Sequence, residues 1–321
     1  MGKPTVFIDG GEGTTGLQIH SRLNDRDDIE IITIPPEKRK DVQARSQLIN
    51  SADVTILCLP DDAAREAVSF ITNSNVKILD ASSAHRVADA WVYGFPELEQ
   101  NRREEIKHAT RVSNPGCYPT GFLACVRPLI ASGIIPKDFP VTINAISGYS
   151  GGGKKLIEEY QSISQQQADN YAYGIYGLSF GHKHVKEMHQ HSGLKSPPLF
   201  VPAVGNFEKG MLVQIPLPLH SLQNQPSGEL IHNILKEYYQ NEKYIFVAPL
   251  NDDSLRKGKF FDAQAANNTN LVQVFVFAND KTKEALLVAR LDNLGKGASG
   301  AAVQNLNIML GLDEDLGIAY T

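Results

Sequence analysis

Apolar and polar positions along these 321 residues follow one rhythm up to about Cys117 and another beyond it. Thr5 to Ile8 is a short apolar run, and "GGEGTTG", Gly10 to Gly16, turns it into the amphipathic stretch Leu17 to Leu23. That order predicts strand, glycine turn, helix. Glu30 to Ile34 predicts a second strand, stopped by Pro35-Pro36. "DVTILCLP", Asp53 to Pro60, is apolar throughout, as a strand covered on both faces must be, and "VKILDASS", Val76 to Ser83, predicts a fourth. Strands alternating with helical segments predict an α/β fold with a Rossmann-type, doubly wound parallel sheet. After Cys117 the segments "PVTINAISGYS", "LFVPAVGNF", "GMLVQIPLPL", "NLVQVFVFAN" and "EALLVARLDN" alternate instead. They predict an α+β domain built on a mostly antiparallel sheet with helices on one side. Gly297 to Leu312 predicts a helix rich in small residues that ends at Gly311 and packs back onto the first domain. The expected division is 1–116 with 297–321, and 117–296.

Composition narrows the partners. The chain is 42% hydrophobic and 21% charged with a formal net charge of −5, which gives no reason to seek nucleic acid or an anionic membrane. Small molecules and copies of the same chain are the expected partners. No apolar run approaches the roughly 18 residues of a membrane span, and the first residues enter a strand pattern directly, so the expected location is cytoplasmic. Cys58, Cys117 and Cys125 form no paired framework, and no structural disulfide is expected. Ser162 to Tyr171 is polar enough to be a loop; there is no internal repeat.

Two motifs carry chemistry. Gly11-x-Gly13-x-x-Gly16, with Thr14 and Thr15 between the last two glycines, fits the dinucleotide pattern in which backbone N–H groups approach a pyrophosphate at a helix N-terminus. A purely structural glycine turn is the competing explanation; the preceding strand and following helix favour the nucleotide. No acidic residue stands at the end of the second strand to hold a ribose 2′-hydroxyl, and Lys38, Arg39 and Lys40 follow it instead. Such a cluster suits a 2′-phosphate, hence NADP(H) over NAD, unless it is only a solvated charge run.

The second motif is "SNPGCYPTG", Ser113 to Gly121. Pro119 stands where a first helical residue often stands, and Leu123, Val126, Leu129 and Ile130 follow at helical spacing up to Gly133. Cys117 would then lie just ahead of a helix N-terminus, where the macrodipole and free N–H groups favour a thiolate and could also hold an oxyanion. Cys58, in an apolar strand, and Cys125, inside the helix, read as packing residues.

With both motifs in view, the chain resembles the N-acetyl-gamma-glutamyl-phosphate reductase family of arginine biosynthesis, in its shorter type. The matching segments cover nearly the whole length: "GGEGTTG", "CLPDDAARE", "DASSAHRV", "YGFPELE", "SNPGCYPTG", "ISGYSGGGK", "HKHVKEMH" and "LDNLGKGASGAAVQNLNIMLGL". The resemblance implies NADPH-dependent reduction of an acyl phosphate to a semialdehyde with release of inorganic phosphate, through a thioester on Cys117. It points to His182 or His184 as the acid/base, with His182 preferred; two residues apart, they share a face on an extended chain. Pro60, Ser82 and Asn293 fall in segments that the resemblance places at the cofactor, and Asn114 lies in the cysteine segment next to substrate. A doubly anionic substrate asks for cations, for which Arg86 and Lys154 are candidates, each with a surface ion pair as its competing explanation. Ser147 to Gly153 offers a backbone cradle for an anion or a plain strand-to-helix turn. His189 and His191 read as a solvated helix face. No metal is expected, because His184 and His191 have no thiolate or acid set to complete four ligands. A homo-oligomer, dimer or tetramer, is a further implication.

The longer type of the family carries Asp-Phe-Arg where this chain has Ala84-His85-Arg86, and Pro where it has Lys186, leaving the roles of His85 and Lys186 open. Two other functions compete: a related acyl-phosphate reductase such as aspartate-semialdehyde dehydrogenase, and an NADP-sensing protein without chemistry.

Overall fold

The computed structural model describes residues 2–163, 171–252, 254 and 260–319. It divides into two compact units, Met1–Pro115 with Ala298–Ala319, and Gly116–Gly297.

The first unit is a parallel sheet. Its strands are β1 (Thr5–Asp9), β2 (Glu30–Ile32), β3 (Val54–Leu57), β4 (Lys77–Asp80), β5 (Val92–Tyr93) and β6 (Arg111–Ser113), in the order β2-β1-β3-β4-β6-β5. Every pairing among them is parallel. Side chains alternate across such a sheet, and they do so here. Val6 and Ile8 of β1 enter one apolar cluster, Phe7 the other. The first cluster holds Ile19 and Leu23 of α1 (Thr14–Leu23) and Ile106 of α4 (Arg102–His108); the second holds Ile49 of α2 (Val42–Ser51) and Ala64 and Ala67 of α3 (Asp61–Ser69). Helices therefore cover both faces, which is the doubly wound arrangement expected from the unbroken apolar runs. The second strand ends at Ile32, two residues short of expectation, because Pro35 and Pro36 already set the chain into a single turn at Pro36–Lys38.

The second unit opens with α5 (Cys117–Ala131), followed by β7 (Thr142–Gly148), α6 (Gly153–Ser162), β8 (Tyr173–Ile175), α7 (His184–Ser192), β9 (Leu199–Gly205), β10 (Met211–Pro218), α8 (Gly228–Tyr238), β11 (Ile245–Val247), β12 (Val272–Asn279) and β13 (Glu284–Leu291). Its sheet runs β11-β12-β13-β10-β7-β9-β8. Four neighbouring pairs are antiparallel; β11 with β12 and β7 with β9 are parallel. Each of the five alternating segments is a strand, as expected. Helix α5 is apolar on nearly all sides and is buried accordingly, against β10, β12, β13, α7 and α8.

The C-terminal segment passes through one wide turn, Gly295–Ser299, into α9 (Gly300–Leu310), which Gly311 closes in the left-handed conformation. Ala302, Val303 and Leu306 of α9 belong to the same apolar cluster as α1 and α4 of the first unit. The polar stretch Ser162–Tyr171 falls largely on 164–170, outside the described residues; Ser162 itself ends α6.

Candidate active site

In the first unit the chain turns sharply after β1. Gly10 has φ +84°, and a Cβ there would lie 2.5 Å from the Cys58 carbonyl oxygen; one on Gly16 would lie 2.7 Å from the Gly10 oxygen. Only glycine fits either place. A Cβ on Gly11 would meet the His20 ring at 2.9 Å, while Gly13 is the N-cap of α1 and brings no side chain to it. Thr14, Thr15 and Gly16 thus start a helix whose first-turn amides have no side-chain cap. Gly10, which lies outside the three-glycine spacing, makes the turn. Asp9, just before it, is buried and held by Arg45 at 2.8 Å, which fixes where β1 ends.

After β2, Lys38 and Lys40 are exposed and Arg39 pairs with Glu12 of the glycine turn. Pro60 is the exposed N-cap of α3. Ser82 folds back on Asp80, giving its amide to Oδ1 at 2.8 Å and its hydroxyl to Oδ2 at 2.9 Å. Arg86 is buried and donates to the Ala81 carbonyl at 3.3 Å. Asn114 is buried too, and its carboxamide has partners within the unit. It donates to the Ala298 carbonyl at 2.9 Å and accepts from Asn305 at 3.1 Å, so it ties the end of β6 to the C-terminal segment.

In the second unit Cys117 lies within its helix rather than ahead of it. Gly116 is the extended N-cap, Cys117 the first helical residue and Pro119 the third. Proline is tolerated throughout a first turn, because none of those amides has a partner inside the helix, so Pro119 did not fix the start. The thiol gains by the shift, lying where the helix dipole is felt most. Cys58 and Cys125 behave as packing residues: burial, with Asp80 and Asp9 adding, pushes the Cys58 thiol up to about 12, and burial alone raises Cys125.

Around Cys117 the structure gathers residues that sequence spacing did not reveal. The Gly116 amide donates to Oε1 of buried Glu187 at 2.7 Å, so a carboxylate from α7 pins the N-cap next to the cysteine. Glu187 is spaced three residues from His184 and one from Met188, and that helical spacing was the available signal. Gly297 lies against the cysteine: a Cβ there would come within 2.8 Å of the Cys117 Cβ. Tyr118 donates to the Ala203 carbonyl at 3.1 Å and accepts from the Tyr176 hydroxyl at 3.3 Å. The Tyr176 oxygen in turn lies 3.5 Å from His182 Nε2, and the His184 amide donates to His182 Nδ1 at 3.2 Å. With Nδ1 accepting, the neutral ring carries its proton on Nε2.

His182 and His184 do come together, with ring centroids 4.8 Å apart, though not along an extended chain. Lys183 is helical and His184 begins α7. His184 is buried, whereas His182 stays half-exposed. Burial and the neighbouring Lys183 hold the His182 pKa below its usual 6.5, with Glu187 opposing them. His189 and His191 lie on α7, both half-exposed, and Lys186 is exposed.

Three other candidates separate. Ser147 is buried, with its hydroxyl on the Gly148 carbonyl at 3.1 Å. Asn293 is buried and holds two loops of its own unit, accepting from Gly210 N at 2.8 Å and donating to Ser150 Oγ at 3.0 Å. Its amide is a brace there. Lys154 is exposed and faces Glu158 at 3.8 Å, one helical turn on, in a surface ion pair. Residues 149–152 form a single turn into α6, so the glycines serve a strand-to-helix connection. Among the described residues no group of three or more His, Cys, Asp or Glu has metal-ligand geometry.

Comparison with known proteins adds what geometry does not. Residues 5–109 match the family model described as semialdehyde dehydrogenase, NAD binding domain, and residues 117–293 match semialdehyde dehydrogenase, dimerisation domain. The chain is 70% identical over 322 residues to an N-acetyl-gamma-glutamyl-phosphate reductase 2 of Nostoc sp., covering 99% of this chain and 100% of that one. It is 50% identical over 311 residues to an N-acetyl-gamma-glutamyl-phosphate reductase of Burkholderia cenocepacia, covering 97% and 98%. Among solved structures it resembles aspartate semialdehyde dehydrogenase II from Vibrio cholerae, with TM-score 0.68, 16% identity and coverage of 97% and 99%. Aspartate semialdehyde dehydrogenase with NADP from Candida albicans gives TM-score 0.63, 13% identity and coverage of 96% and 99%. At such identities these structures speak for the fold.

Proposed function

This chain belongs to the N-acetyl-gamma-glutamyl-phosphate reductase family, and from that premise we propose that it reduces N-acetyl-γ-glutamyl phosphate to N-acetylglutamate 5-semialdehyde and phosphate, with NADPH, in arginine biosynthesis. The observation that carries this function is the 70% identity over the full length of a relative so named. The first unit is the cofactor-binding domain in this reading and the second the catalytic and dimerisation domain. In this reading the protein works in the cytoplasm as a homo-oligomer, dimer or tetramer, and the match to a dimerisation domain supports the oligomer.

The glycine turn fits a dinucleotide: Gly10 and Gly16 leave no room for a Cβ, and the uncapped start of α1 suits a pyrophosphate. Gly11, Gly13, Thr14, Thr15 and Gly16 would line it, with Lys38, Arg39 and Lys40 near a 2′-phosphate. When bound, NADPH supplies the hydride.

The chain's own residues do the rest. His182, with a depressed pKa, is neutral near pH 7, and its Nδ1 lone pair, lent to the His184 amide, is the one that would take the Cys117 thiol proton. The thiolate attacks the γ-acyl carbon, the C–O bond to phosphate breaks, and the proton passes to the departing phosphate. A thioester on Cys117 remains. First-turn amides of α5, which no side chain caps, would receive its oxygen as negative charge develops there. After hydride addition the tetrahedral alkoxide collapses, the C–S bond breaks and the thiolate leaves the aldehyde. Glu187 acts through Gly116, holding the N-cap that aims the cysteine. Partial exposure favours His182 over buried His184 as the acid/base.

The test is turnover in reverse: purified protein, NADP+, inorganic phosphate and N-acetylglutamate semialdehyde, followed by NADPH absorbance. Faster turnover of aspartate semialdehyde would overturn the substrate assignment. Cys117→Ser is expected to lose turnover by orders of magnitude and still bind NADPH. An unaffected variant would leave an NADP sensor as the better description.

A further inference from the structure

His85 belongs to no step above, yet it is held with unusual care. It follows β4 by five residues, and its Nδ1 lies 2.6 Å from Oδ2 of Asp80, a fully buried carboxylate. Its ring stacks on Trp91, with centroids 4.1 Å apart and planes 13° apart. The surrounding loop is stitched down. Ser83 donates its amide and hydroxyl to Asp61, Arg65 donates to the Ala84 carbonyl, and Ser82 caps Asp80. Asp80 acts as an acceptor throughout, taking the Ser82 amide on Oδ1 and the Ser82 hydroxyl on Oδ2, and in the neutral ring that faces it Nδ1 of His85 is the donor. Nε2 is then left with a lone pair. Among the described residues it has no hydrogen-bond partner, and the His85 side chain keeps an opening to the outside, being 12% exposed.

Topology says what passes that opening. In the order β2-β1-β3-β4 the chain leaves β1 towards β2 on one side and resumes at β3 on the other, so a ligand lies across the carboxyl ends of the strands at that switch. The pyrophosphate belongs on the glycine turn after β1, and the basic residues after β2 mark the adenosine side. The nicotinamide half must then run towards β3 and β4, where His85 stands. Resting on the dinucleotide reading, we propose that His85 Nε2 accepts a hydrogen bond from the nicotinamide half of the cofactor, from its carboxamide N–H or a ribose hydroxyl, with Asp80 fixing the tautomer that makes Nε2 the acceptor.

Two amide variants separate this from a purely structural role. His85→Asn keeps a donor for Asp80 in the place of Nδ1 and removes the outer edge. His85→Gln can place its carbonyl where Nε2 was and weakens the Asp80 contact. Affinity is measured by calorimetry for NADPH and for 2′,5′-ADP, which lacks the nicotinamide half. His85→Asn is expected to weaken NADPH about five- to tenfold and leave 2′,5′-ADP unchanged, with His85→Gln closer to wild type. Trp91, the single tryptophan, gives a second readout: NADPH should quench its emission and 2′,5′-ADP should not. The proposal is overturned if His85→Asn binds NADPH like wild type, if both ligands lose equally, or if His85→Gln is the more damaged. Wild-type protein that binds neither ligand would overturn the dinucleotide reading and this assignment together.

Discussion

Cys117 has its helix start, its carboxylate-pinned neighbour and its clearance from three different places in the chain, and each is open to a single substitution. Gly297→Ala would push a methyl group to within 2.8 Å of the Cys117 Cβ. Displacing a nucleophile by about 1 Å costs on the order of a hundredfold in rate. We expect kcat to fall by that order and iodoacetamide labelling of Cys117 to slow, with NADPH affinity kept; unchanged labelling would show that the close approach does not govern the thiol. His182 carries a pH signature. Its folded pKa lies below 6.5, so between the two values the unfolded chain binds more protons and stability rises with pH; it is lost as pH falls through that window. His20, depressed by burial, acts with the same sign. His182→Asn should flatten the slope of urea midpoints between about pH 5 and 7 without abolishing it. The acid limb of kcat/KM should lie below 6.5 for the same reason.

Helix α7 shows what an element contributes beyond its residues. His184, Glu187, Met188 and Ser192 recur at helical spacing and are buried together, and α7 packs on α5. That packing carries Glu187 to Gly116, 71 positions away in sequence. Glu187→Ala leaves a buried N–H without its acceptor, a loss of about 1–3 kcal/mol in stability by denaturant titration. Glu187→Gln keeps an acceptor oxygen and should recover most of it. Equal losses would mean that the charge, and not the hydrogen bond, holds the N-cap. The sequence read a helix face at His189 and His191 and an extended chain at His182 and His184, where the helix in fact begins; its docking was not legible, since nothing local names the helix it meets. Helix α5 shows the opposite balance. Its apolar run announced burial plainly, and only its first residue was misplaced, by the ambiguity of a proline that any first-turn position accepts.

At the scale of the molecule, β8 and the segment after it carry a run of uncovered apolar side chains. Tyr173 and Ile175 of β8, at the edge of the second sheet, and Leu178 and Phe180 just after it are all exposed, Leu178 by 71% and Phe180 by 66%. Exposed apolar groups on a sheet edge are an association surface. Leu178→Asp with Phe180→Asp is expected to shift the sedimentation of the protein towards a smaller species at unchanged helix content. A wild-type monomer would overturn the homo-oligomer. Much of this molecule was set by the sequence alone. Alternation and unbroken apolar runs decided which segments are strands and which sheet is covered on both faces, and "GGEGTTG" decided the turn, because these depend on neighbours within a few residues. Tertiary structure alone decided which polar side chains are committed. Asn114 and Asn293 became braces, Lys154 went to the surface, and Glu187, Tyr176 and Gly297 came to the cysteine segment. A carboxamide or a carboxylate has the same local pattern in either role. Its partner is fixed only when helices and sheet pack, by groups scores of residues distant along the chain.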